Sequence, residues 1–111
     1  MDKLLLPLLL IGGLFSSACF ALGGWSGASK ISQIYPAPGE NGILIKHGSM
    51  PNPDNCPSPS YYILKKDNIL FNEIYALLVA AQARQASINI QVVGCGGSKD
   101  VFPSIFQVIA E

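Results

Sequence analysis

The first 21 residues, MDKLLLPLLLIGGLFSSACFA, limit most strongly what this chain can fold into. A lysine near the start, an apolar run from Leu4 to Phe15 and small residues ending in Cys-Phe-Ala have the three-part layout of a secretory signal peptide, with cleavage expected after Ala21. The apolar run is shorter than the roughly 20 residues a bilayer span requires, so no stable membrane span is expected after cleavage. Residues 1–21 are therefore set apart from the fold. Residues 22–111 are expected to form a single domain outside the cytoplasm, periplasmic or secreted. A second reading of the same segment makes Cys19 the lipidated cysteine of a bacterial lipoprotein. Ser16-Ser17-Ala18-Cys19 carries the small residues such a site needs, although Ser16 stands where a large aliphatic residue is usual.

A chain of this length has room for one small core, and a covalent staple helps such a domain. Once the leader is removed, Cys56 and Cys95 are the cysteines that remain. An exported two-cysteine domain usually pairs them. Closing a loop of about 40 residues removes unfolded-chain entropy worth roughly 4 kcal/mol in the chain-entropy model. Cys56 lies in PNPDNCPSPS, Pro51 to Ser60, whose prolines keep the segment out of a sheet and reduce its freedom when unfolded.

Charge excludes one class of partner. Of seven basic and seven acidic residues, Lys3 and Asp2 fall in the leader, leaving six of each sign. No basic stripe is present, and no nucleic-acid partner is expected.

Along the domain, WSGASKISQIY reads as a strand over about residues 28–35. Asn41-Gly42 is a hairpin turn signal leading into a second strand, Ile43 to His47. Residues 48–60 form a long loop, and Tyr61 to Leu64 a third strand. Residues 69–86 contain neither proline nor glycine. Ile74, Leu77, Leu78 and Ala81 share one helical face there, with Asp67 or Asn68 as N-cap. Ile88, Ile90 and Val92 alternate with polar residues as a fourth strand, broken at Gly94-Cys95-Gly96-Gly97, and Ile105 to Ile109 makes a fifth. The expected class is α+β in the order β-β-β-α-β-β. This is a five-stranded antiparallel sheet or an OB-like barrel, with one helix between strands 3 and 4.

Few residues offer chemistry. The chain has a single histidine, His47, and no Cys-x-x-Cys pair, so no metal site or other cofactor is expected. His47 reads as a strand-end residue with an ordinary hydrogen bond. A nucleophilic Cys56 would need a base and protection from Cys95. The nucleophile elbow, phosphate loop and HExxH are all missing. No catalytic residue is nominated, and the chain reads as a binding protein. Aromatics gather around the loops at Trp25, Tyr35, Tyr61 and Tyr62. Beside Asn52, Asp54 and Asn55 they are the side-chain types that stack on sugars and bind hydroxyls. The alternative is that one tyrosine of the Tyr61-Tyr62 pair points into the core and the other covers the loop.

Four segments carry a resemblance: Trp25 with Gly27, PNPDNC at Pro51–Cys56, FNEIYALLVAA at Phe71–Ala81 and VVGC at Val92–Cys95. With them the chain resembles a group of short exported gammaproteobacterial proteins of unknown function, which supports the fold and the disulfide but brings no activity. More remotely, the Trp-Ser-Gly start, the strand order and the mid-chain helix are similar to OB-fold B subunits of AB5 toxins. That likeness implies glycan binding and a homo-oligomer. The expectation is therefore an exported, toxin B-subunit-like binding domain that recognises a glycan or an envelope or host protein. The alternative is a periplasmic structural or inhibitory partner acting through a sheet edge.

Overall fold

Lys30 divides what the sequence reads as one strand. In the computed structural model, which describes residues 22–111, β1 (Gly24–Ser29) and β2 (Ile31–Ala37) lie on either side of it and pair with different partners. The expected leader and Cys19 lie outside the described residues. β3 (Gly42–His47) and β4 (Tyr62–Lys65) follow, then α1 (Phe71–Arg84), β5 (Ile88–Gly96) and β6 (Phe102–Ala110). The described residues are thus α+β with one α-helix and six strands. The expected count of five is corrected, and the helix follows the fourth strand rather than the third. The physical reason is a change of hydrogen-bonding partner at Lys30: Ser29 pairs with Ile88 on β5, whereas Ile31 pairs with His47 on β3.

The strands are ordered β1-β5-β6-β4-β3-β2. All neighbours are antiparallel except β4 and β6, which run parallel with Ile63 opposite Ser104. The two outermost strands are consecutive in the chain and joined by Lys30 alone, so the end of β1 and the start of β2 lie side by side at that residue. His47 fastens the junction. Its Nε2 lies 2.8 Å from the Ile88 carbonyl oxygen and 3.0 Å from that of Ser29, while Nδ1 is 2.8 Å from the Ser49 carbonyl oxygen.

The β2–β3 hairpin forms as expected, turned by Pro38–Glu40 and by Asn41 in the left-handed region at φ 56°. β5 runs beyond its expected end. A register shift between Val92 and Cys95 takes up Val93 and Gly94, and pairing resumes at Cys95 and Gly96. Such an irregularity lets a strand bend without ending.

Ile74, Leu78 and Ala81 of α1 are buried as expected, but Leu77 is 40% exposed because the helix rests on the sheet along a narrower stripe. Neither Asp67 nor Asn68 is the N-cap. The helix starts after Leu70, and the Asn68 side chain instead accepts the Leu70 N–H at 2.8 Å. No helix among the described residues is long and apolar enough to cross a membrane.

The main core joins Ile43, Ile45, Tyr62, Leu64, Ile88, Ile90, Val92 and Ile105 to the buried face of α1. A smaller cluster, Ala37, Leu44 and Ile63, lies with Tyr61 and Phe102 packed against it. Successive strand residues point to opposite faces, so β3 and β4 are covered on both and read as continuous apolar runs.

Candidate functional site

The loop that carries Asn52, Asp54 and Asn55 is built as a fastening. Cys56 and Cys95 form the expected disulfide, with their Cα atoms 5.7 Å apart. Asn52 grips the same cysteine: its side-chain amide donates to the Cys56 carbonyl and accepts the Cys56 N–H, both at 2.9 Å. Asp54 accepts backbone N–H groups from Gly94 at 2.8 Å, Gly23 at 3.0 Å and Leu22 at 2.6 Å. The Gly94 N–H, with those of Gly23 and Leu22, outweighs desolvation and holds the Asp54 carboxyl below its ordinary pKa. Ser58 N–H donates to the Val101 carbonyl at 2.8 Å, tying the far side of the loop to the segment before β6.

The sequence-derived site residues are therefore dispersed. Asn52 and Asp54 spend their polar atoms on backbone. Tyr62 is fully buried in the main core, with its hydroxyl donating to the Pro51 carbonyl at 2.6 Å. Burial pushes its phenol up to about 12. This is the alternative in which one tyrosine of the pair points inward. Asn55 is exposed in a left-handed turn at φ 54°. Trp25 is 40% exposed on β1 opposite Gln91. Tyr61 is partly exposed.

Tyr61 belongs to a different constellation. The β2–β3–β4 register sets Gln33 opposite Lys46, and Tyr61 directly precedes the Tyr62–Ile45 pair. Tyr61 Oη donates to Gln33 Oε1 at 2.9 Å, and Lys46 Nζ sits 4.6 Å from the Tyr61 ring centroid. The ring of Tyr35, 52% exposed, lies with its centroid 6.2 Å from that of Tyr61 and tilted by 56°. The two rings, with Ser32, Gln33, Ile34 and Gln82, border a shallow concavity of about 480 Å³. Gln33 and Gln82 are the residues that sequence reasoning leaves out of the site, whereas Tyr35 stands among the loop aromatics named from the sequence. Gln33 and Tyr35 carry a faint signal, being two positions apart in a strand and so on one face. Gln82 carries none, because its place beside them depends on how α1 docks.

Two further concavities lie elsewhere on the described surface. One, of about 250 Å³, has Glu40, Lys65, Asp67 and Ser98 in its wall, and there Glu40 Oε1 accepts both the Ser98 N–H at 2.8 Å and its hydroxyl at 3.0 Å. Those bonds join the β2–β3 connection to the β5–β6 connection. The other, of about 340 Å³, is bordered by Ile69, which is 94% exposed, with Leu70 and Phe106. Among the described residues no three His, Cys, Asp or Glu side chains come together as a metal site.

Comparison with family models, with curated proteins and with solved structures finds no match to this chain. The disulfide is the observation that bears on location, since such bonds persist in oxidising compartments outside the cytoplasm.

Proposed function

We propose that the protein is an exported, non-enzymatic binding domain that recognises a glycan through the Tyr35–Tyr61 concavity. The observation that carries this reading is the pair of accessible tyrosine rings beside the side-chain amides of Gln33 and Gln82. Aromatic faces stack on the apolar faces of sugar rings, and amides and hydroxyls match sugar hydroxyls as both donors and acceptors. The Tyr61–Gln33 bond and the Lys46 ammonium orient Tyr61 before any ligand arrives, which lowers the ordering cost of binding.

The strand order supports an OB-like barrel. Taken as one bent strand, β1 and β2 leave five strands with the helix between the third and fourth, and the parallel β4–β6 pair falls between the third and fifth. The B subunits of AB5 toxins that the sequence remotely resembles belong to the OB-fold class. A non-enzymatic role is supported by His47, whose ring nitrogens face backbone carbonyls, and by Asp54, which is taken up by three amides. Action through a sheet edge has less support. Gly27 at φ 88° lies within the register shift of β1, Lys30 stands at the junction of the two outer strands and Pro36 stands on β2, all features that discourage strand addition.

Ile69, Leu70 and Phe106 favour a second element of this reading, self-association. Three apolar side chains around one concavity are more than scattered surface hydrophobics require.

A glycan array followed by titration of Tyr35→Ala and Tyr61→Ala tests the site. Each variant is expected to keep its fold and lose about tenfold or more in affinity. Binding unaffected by both substitutions, or no glycan bound at all, rejects the reading. Sedimentation of the wild type and of Phe106→Asp tests the assembly, with a monomeric wild type counting against it.

A further inference from the structure

The expected cleavage point and the Asp54 carboxylate converge on a single atom. Cleavage after Ala21 makes the Leu22 nitrogen the first atom of the processed chain. That nitrogen lies 2.6 Å from Asp54 Oδ1, shorter than the usual amide–oxygen distance and near that of an ammonium–carboxylate contact. The Leu22 side chain is 85% exposed, so the backbone nitrogen is what the fold holds.

The surroundings are built to bring it there. Gly23 takes φ +70°, and a Cβ on it would fall 2.7 Å from Val93 Cγ2 and 2.9 Å from the Val92 carbonyl oxygen. Only glycine lets the chain turn so closely against β5. A Cβ on Gly24 would already press on the Pro53 ring at 3.3 Å. Asp54 is set in turn by the Gly94 N–H, one residue from the disulfide at Cys95. The groups that lower its pKa are the three backbone N–H donors, with no side-chain cation among them.

We propose that Asp54 is the socket for the α-ammonium group of Leu22, released when the Ala21–Leu22 peptide bond is hydrolysed on export. A signal peptidase adds one water across that bond. Oxygen joins the Ala21 carbonyl carbon, which leaves as a carboxylate with the leader, and the Leu22 nitrogen keeps its electron pair and becomes an ammonium. In the uncleaved chain the same nitrogen is a neutral amide, offering one hydrogen bond and no charge. Processing therefore turns a hydrogen bond into an ion pair and locks the start of β1 against the stapled loop. The inference rests on the export reading of the leader and is independent of glycan binding.

The test starts with the full-length chain, exported and purified from the periplasm, then analysed by intact mass and N-terminal sequencing. A chain beginning at Leu22 is expected. A start at Cys19, lipidated or free, overturns Asp54's role, and an unprocessed mass overturns the export reading itself. Two changes to the same chain then probe the pair: Asp54→Asn, and an alanine inserted between Ala21 and Leu22, which moves the amine one residue away. Each alone is expected to lower Tm by about 4–8 °C, and together by no more than the larger single effect. Additive losses, or none, overturn the proposal. Should a variant fail to export, ¹³C-dimethylation of the wild-type amine and NMR titration decide instead. An amine pKa above the ordinary range of about 7.7–8.0 supports the pair, and one within that range overturns it.

Discussion

Asn52 and Cys56 bind each other twice, the side-chain amide giving one bond to the Cys56 carbonyl and taking one from the Cys56 N–H, each 2.9 Å long. A five-residue turn is thereby closed over a backbone that prolines keep out of the sheet. Asn52→Ala leaves a part-buried donor and acceptor without partners and is expected to cost about 1–3 kcal/mol, measured by urea denaturation. A loss under a few tenths would show that water replaces the amide freely.

The disulfide should matter more than either hydrogen bond. Cys56 and Cys95 are 39 residues apart in sequence, and opening that loop returns roughly 4 kcal/mol of entropy to the unfolded chain. Cys56→Ala/Cys95→Ala is expected to lower the unfolding free energy by about that amount, read as a lower urea midpoint at unchanged slope. An unchanged midpoint would mean that packing alone holds the loop.

Tyr62 predicts an alkaline limit. Its phenol is raised by burial to about 12 from an unfolded value of 10.0. The unfolded chain gives up this proton first, so the stability tied to the neutral phenol is complete below pH 10 and falls as pH rises from 10 towards 12. Tyr62→Phe should flatten that decline while losing the bond to Pro51, at a cost of about 1 kcal/mol at neutral pH. Parallel pH–stability curves for the two proteins would rule Tyr62 out as the cause.

His47 joins three separate segments, and its removal should loosen the seam where β1 gives way to β2. His47→Ala strands the Ile88 and Ser29 carbonyl oxygens at a buried position and is expected to cost about 2–3 kcal/mol. Hydrogen exchange should show faster opening of β1 and of the start of β5. Acceleration spread evenly over all strands would contradict a local role.

The periodic elements were legible in the sequence because their signals are local. The apolar spacing of α1, the Asn41-Gly42 turn, the alternation of Ile88, Ile90 and Val92, and the pairing of two remaining cysteines each depend on near neighbours or on simple counting. The end of the first strand was not legible, since nothing about Lys30 as a residue says that the chain changes partners there. That depends on which strands lie to either side. The same holds for the site. Tyr61 and Tyr62 are identical in sequence terms, yet strand alternation and the β3–β4 register send Tyr62 into the core and leave Tyr61 outside, where β2 brings Tyr35 to it. Asn52 and Asp54 read as ligand-binding groups because amides and carboxylates bind whatever donors and acceptors they meet. Only the tertiary structure decided that those were the backbone of Cys56, the Gly94 amide and the nitrogen of Leu22, because hydrogen-bond partners so far apart in sequence are chosen by the path of the chain.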